Sequence, residues 1–429
     1  MKSAPLRGIV ALAALLAAAP HAAAAVEQGA ALAPPPDSLV ALALQRAPSL
    51  AALRARVQEA REMVRPAGAL PNPMVEVMLQ DVGFPTWTVG SEDMSMLGPQ
   101  VSQGIPFPGK RTARRRVAQA EVAVKESEFE QLRREVARDM RGDYARLYAV
   151  DRQRSALGAG HEMLAVLTAT VRDRYSAGMT DGEAALKAQL VLSRLDEQLG
   201  DLAAERAGIV AAMNRLLDRP GDAPVGEVTA LPVTNVPATP WSDAILGGSV
   251  DVATRRAEVR AAEHKLQAAR LERWPDLVAG AGLSYRGGKD PVTTLRLGLD
   301  LPLWSGQNQS PVLRANTQGL EAARQSLREA EAAARADAAR LEADWTNTER
   351  QVARYAETIV PQSSLTLEAA RSGYLVGRGD FTTVIDDFRM WLEARTGLAQ
   401  REARRYTTWA ELQAVLGPGG AAEDGRMGR

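Results

Sequence analysis

Few side chains in this sequence are suited to bond-making chemistry. The chain has no cysteine and only three histidines. His21 lies in an N-terminal segment expected to be removed, which leaves His161 and His264. Both fall within helical stretches, and neither has the neighbours of a metal-ligand pair such as HExxH. No glycine-rich run resembles a phosphate cradle. Met74, Met78, Met94 and Met96 are the softest donors and suit soft cations, although thioethers more often fill core gaps or meet lipid. The remaining candidates are acids near two short turns: Asp181, Asp380, Asp386 and Asp387. Without a nucleophile or base beside them, such carboxylates attract and repel ions. No catalytic residue, metal site or cofactor is assigned, and the chain is expected not to be an enzyme.

The bulk properties limit where such acids could act. Lys2 and Arg7 precede an apolar stretch, Ile9 to Ala19, and Ala23-Ala24-Ala25 offers a small-residue cleavage site, so residues 1–25 read as a signal peptide. That stretch is too short to span a bilayer as a helix. No later stretch approaches ~18 uninterrupted apolar residues, so a membrane crossing by the mature chain would have to be a β-barrel. The 52 basic and 52 acidic residues leave no basic footprint for nucleic acid. Aromatic residues make up only 4% of a chain rich in Ala, Leu, Arg and Glu, a composition of long helices.

The mature chain reads as a duplication spanning 26–218 and 242–416. Leu70-Pro71-Asn72-Pro73 is answered by Trp274-Pro275-Asp276. Ile105-Pro106-Phe107-Pro108-Gly109 is answered by Leu301-Pro302-Leu303-Trp304-Ser305-Gly306. Tyr175, Gly178 and Asp181 match Tyr374, Gly377 and Asp380 at one constant offset. A proline-rich linker, 219–241, separates the halves, and 417–429 is expected to be a disordered tail.

Each half predicts one long helix, 110–175 and 311–374, each ~100 Å at the α-helical rise. The shorter helices, 37–66 with 181–218 and 243–272 with 380–416, sum to nearly the same length. Two short helices stacked end to end beside one long helix would explain the match. Alternating residues predict strands at 74–80, 94–103, 277–286 and 293–301. Leu295, Leu297, Leu299 and Leu301 alternate with Thr294, Arg296, Gly298 and Asp300, a pattern suited to a wall between lipid and water. Pro99 weakens the second strand. Four strands cannot close a membrane barrel, so closure needs further copies; three copies give twelve strands and an aqueous lumen. The fold expected is mainly α with a small membrane β part.

Ala69-Leu70-Pro71-Asn72-Pro73 and Gln103-Gly104-Ile105-Pro106-Phe107-Pro108-Gly109-Lys110 resemble signatures of TolC-family outer-membrane efflux proteins, most of all the branch serving heavy-metal resistance pumps. The resemblance runs along almost the whole mature chain. It implies a homotrimer with a twelve-stranded β-barrel in outer-membrane lipid above a long periplasmic α-barrel. It also implies a periplasmic adaptor and an inner-membrane pump of the resistance-nodulation-division class. Tyr175, Gly178, Tyr374 and Gly377 would mark the adaptor-docking tips. Asp386, with Asp387, Asp380 and Asp181, would narrow the entrance, the last two also capping helices. Pro106, Pro108, Gly109, Pro302 and Gly306 would turn strand into helix. Some relatives carry a lipidated cysteine that this chain lacks. Drugs or organic solvents are the alternative cargo, and a periplasmic adaptor or coiled-coil scaffold is the rival of another class.

Overall fold

A computed structural model describes residues 32–83, 86–177 and 182–417. The segment expected to be a signal peptide and nearly all of the expected tail lie outside the described residues. The first helical stretch is two helices, α1 (Pro36–Arg46) and α2 (Pro48–Ala67). Ala47, ahead of Pro48, takes ψ 119, because a proline ring disfavours the α conformation in the residue before it. Strands β1 (Met74–Gln80) and β2 (Met96–Ile105) follow, then α3 (Lys110–Ser176) and α4 (Gly182–Leu216).

The second half repeats the plan with α5 (Ser242–Gly248), α6 (Val250–Leu271), β3 (Asp276–Arg286), β4 (Lys289–Asp300) and α7 (Gln309–Arg354). It again breaks its first helix, here at Ser249, whose hydroxyl accepts from the Val252 N–H. The stretch expected as one helix over 311–374 widens into a π turn at Tyr355–Ile359 before α8 (Val360–Leu375). Pro361 accounts for this. It has no N–H and its ring crowds the carbonyl one turn back, so the helix opens locally. Last comes α9 (Phe381–Leu416).

Cross-helix contacts give the order along α3. Arg61 of α2 meets Glu126, Asp37 of α1 meets Arg141, and on α4 Arg206 meets Asp151 and Asp196 meets His161. The short helices α2, α1 and α4 thus follow one another down the long one. In the second half α6 pairs with α7 through Arg256–Glu331, and α9 does so through Arg405–Glu349. The main core fills the middle and lower part with Met140, Leu147, Leu164, Met213 and Phe388. There Tyr148 of α3 donates a 2.6 Å hydrogen bond to Glu402 of α9; burial and that carboxylate both push the phenol above its usual range. Asp151 accepts from the Arg206 guanidinium and from the Val228 N–H, tying the linker to the bundle.

The four strands form one antiparallel sheet in the order β1-β2-β3-β4. β2 starts and ends two residues later than the sequence suggests. Its pairing with β3 passes over Gly98 and Pro99, as expected where the N–H is missing. β3 and β4 meet at Gly287 and Gly288, both with positive φ, in a two-residue hairpin turn. β4 therefore begins at Lys289, not 293.

The two strand-to-helix turns differ in how they are held. Gly109, at φ 99, ends the first, and Lys110 opens α3 with only 3% of its side chain exposed. Its ammonium lies 2.8 Å from Asp276 and 3.4 Å from Glu272, and donates to the Trp274 carbonyl. Asp276 also accepts from the Phe107 N–H, and the Phe107 ring, set between Pro106 and Pro108, stacks on Trp274 at 5.1 Å. Arg111 donates to the Gly68 carbonyl and Arg114 to Glu272. The charges of these three residues are used in the joint. The second turn, from Pro302 to Gly306, leaves Leu303 and Trp304 exposed. Lys110→Met should cost about 2 kcal/mol, less than the ~3–5 kcal/mol of a fully buried pair because the partner acids are partly exposed. The unfolding temperature of the detergent-solubilised protein should fall, and less so for Lys110→Arg. An unchanged midpoint for Lys110→Met would refute the joint.

Candidate functional site

The strand register gives the sheet two unlike faces. Val75, Val77 and Leu79 stand across from Val101, Pro99 and Leu97. Val101 and Ile105 face Ala281 and Leu277 on β3, which in turn face Leu295 and Leu299 on β4. One face is therefore apolar from edge to edge and open to its surroundings, with Leu295 80% exposed. The other carries Glu76, Gln100, Ser102, Thr294 and Arg296, as the period of two requires. Met74, Met78 and Met96 also fall on this polar side, where Met96 is buried and Met74 exposed. β1 and β4 are the edges, and neither has a further partner strand among the described residues.

Below the sheet an open groove of about 810 Å³ runs among α2, α3, α6 and α7. Charges of both signs line it, including Arg56, Glu121, Lys125 and Lys265. Lys265 and Glu121 pair at 3.1 Å.

The helix tips come next. Gly178 and Asp181, on the first turn, lie outside the described residues. Tyr175 is exposed, and its ring lies beside Gly182. Tyr374, its counterpart by sequence, is buried against Phe381 at 5.6 Å. Arg174 accounts for this difference. Its guanidinium lies 4.8 Å from the Tyr374 ring centroid and donates to the carbonyls of Tyr374 and Leu375. It thereby satisfies the last acceptors of α8 and joins the two hairpin ends within one protomer. Gly377, at φ 77, reverses the chain, and its N–H reaches the Tyr374 carbonyl while that of Arg378 reaches Gly373.

The four acids do not act as one group. Asp380 occupies the N-cap position of α9, but its side chain makes no capping hydrogen bond, which corrects the expected role. The Asp386 side chain is 61% exposed and 3.6 Å from Arg389. Asp387 is only 7% exposed, packed among the core residues of α9, so it does not stand beside Asp386 as an open charge. Lys187 of α4 faces this group. Its hydrogen bond to Glu183 raises its pKa, and the charges of Asp380 and Asp386 act in the same direction. Arg174 and Lys187 were not singled out from the sequence. A lone Arg before Tyr175 and a lone Lys in a helix carry no signal until the two hairpins are placed side by side.

Comparisons with known proteins fit this geometry. The chain matches the outer membrane efflux protein family twice, over residues 39–218 and 241–418. No curated protein matches its sequence. Among solved structures, the outer membrane protein VceC from Vibrio cholerae is 19% identical with a TM-score of 0.77, covering 90% of this chain and 96% of its own. CusC is 17% identical with a TM-score of 0.75, covering 89% and 92%. The MtrE outer membrane channel of Neisseria gonorrhoeae is 15% identical with a TM-score of 0.73, covering 91% and 90%. These likenesses establish a shared fold. With both halves of the chain matched, the protein belongs to the outer membrane efflux protein family.

Proposed function

We propose that three copies of this chain form a passive export duct for heavy-metal cations, coupled to a periplasmic adaptor and an inner-membrane pump of the resistance-nodulation-division class. The observation that carries the duct is the sheet: an apolar face continuous over four strands, with two open edges. In hydrocarbon each unpaired backbone group costs several kcal/mol, so the edges must meet those of other copies. Three copies supply twelve strands and room for a lumen.

The tips at Tyr175–Asp181 and Tyr374–Asp380 would receive the adaptor, and Asp386 from three protomers would ring the entrance. Supporting the ring are the exposure of Asp386 and its place just above the Gly377 turn. Asp380 lies close enough to add to the field, whereas Asp387 is held inside its own protomer. The metal assignment rests on the Gln103–Lys110 segment and its likeness to the metal-resistance branch. Release of the Arg174 clamp would let the second hairpin swing outward as the duct opens.

Three measurements test this reading. Mass measurement of the detergent-solubilised protein should give a trimer that forms pores in planar bilayers; a monomer that never joins detergent or lipid would end the duct reading. Asp386→Ala should raise conductance and weaken block by divalent cations, and unchanged recordings would remove the acidic ring. A deletion strain should lose tolerance to divalent or monovalent metals; full tolerance would leave the duct standing and discard the metal cargo.

A further inference from the structure

On the polar face of the sheet, one network crosses all four strands. Arg296 on β4 stands directly across from Gly280 on β3, and Gly282 on β3 stands across from Gln100 on β2. Gln100 is in turn opposite Glu76 on β1. With no side chains at Gly280 and Gly282, the guanidinium lies across β3. It donates to Gln100 Oε1 at 3.1 Å and comes within 3.6 Å of Glu76. The Gln100 amide nitrogen points the other way, to Met78 Sδ. The glycine floor is specific in shape. A Cβ at Gly282 would come within 2.7 Å of Gln100 Cγ, and one at Gly280 within 3.1 Å of the Val101 carbonyl. Glutamine is suited to the middle place because it accepts at one end and donates at the other.

We propose that this belt sets the ion selectivity of the barrel lumen, with Arg296 as the specificity-determining charge and Glu76 as its neutralising partner. The inference rests on the duct reading, in which the polar face lines the water-filled interior. Within the belt each protomer then contributes one fixed positive and one fixed negative charge, held flat against the wall, while Asp300 stands on the same face outside it, at the far end of β4. Paired in this way, they present almost no net field to passing solutes, and cations and anions both cross the barrel. The balance depends on Glu76 remaining beside Arg296.

The test is the reversal potential of the purified protein in planar bilayers under a potassium chloride gradient. Three unpaired charges within a Debye length of the lumen axis should move the cation-to-anion permeability ratio about two-fold. Glu76→Gln exposes Arg296 and should shift the ratio toward chloride. Arg296→Gln exposes Glu76 and should shift it toward potassium. Gln100→Glu has the same shape, keeps the acceptor for Arg296 and adds one negative charge, so it also shifts toward potassium. It serves as the measure should either of the other variants fail to insert. Channels that form normally and keep the parent ratio in the variants that insert overturn the belt. Absence of any channel from the unaltered protein would overturn the duct itself, so the two failures are distinguishable.

Discussion

The rest of this structure depends on a backbone that cannot be left open. Lipid offers no hydrogen bonds, yet the described residues supply four strands, among which β1 and β4 have no further partner on their outer sides. An apolar face of this breadth has no use in water, where it would invite aggregation. The same constraint explains the helices. Strands that must be presented in step by several copies need supports that are long, parallel and packed along their whole length. Isolated helices of such length gain little stability in water, and lateral packing holds them. The short helices following one another down α3 provide that packing without lengthening the chain.

Between sheet and helices the chain must turn sharply, and it secures only one of its two turns with buried charge. Lys110, at the start of α3, is held by Asp276 and Glu272 from the other half of the duplication. The joint therefore couples β2–α3 to α6–β3, the two central crossings of the sheet, and fixes them as a unit. The second turn follows β4, which is an edge strand. Its exposed Leu303 and Trp304 are suited to meeting lipid or a neighbouring copy. A duplicated sequence has thus divided its labour: the inner turn is locked within the protomer and the outer one is left open for assembly.

Much of this was legible in the sequence. The duplication, the paired turn residues and the alternation of Leu295, Leu297 and Leu299 all have local signals, and the register places them as that alternation requires. The helix breaks were also written locally, in Ala47-Pro48 and Gly248-Ser249, but the surrounding alanine-rich periodicity hid them. Pro361 behaved likewise, marking the π turn that a count of helical residues passes over. What could not be read are relations between distant segments. Tyr175 and Tyr374 share a sequence position, yet only Tyr374 is covered, because Arg174 lies over it. Asp386 and Asp387 are neighbours in sequence, and the helix turns one out and the other in, about 100° apart for adjacent residues. Helical phase relative to a packing partner, and not residue type, separates them.

The same reasoning distinguishes the two ends of the duct. At the tip, Asp386 is exposed on a helix whose opposite face is buried: Phe381, Val384, Ile385 and Phe388 share the main core with Leu167, Val171 and Val191, and Arg174 and the charges around Lys187 add contacts at the surface. In the barrel the backbone is fixed by ladder hydrogen bonds, and Arg296 and Glu76 are set in a rigid wall over glycine. In the proposed duct, a belt whose charges cancel adds little selection of its own to what the tip admits.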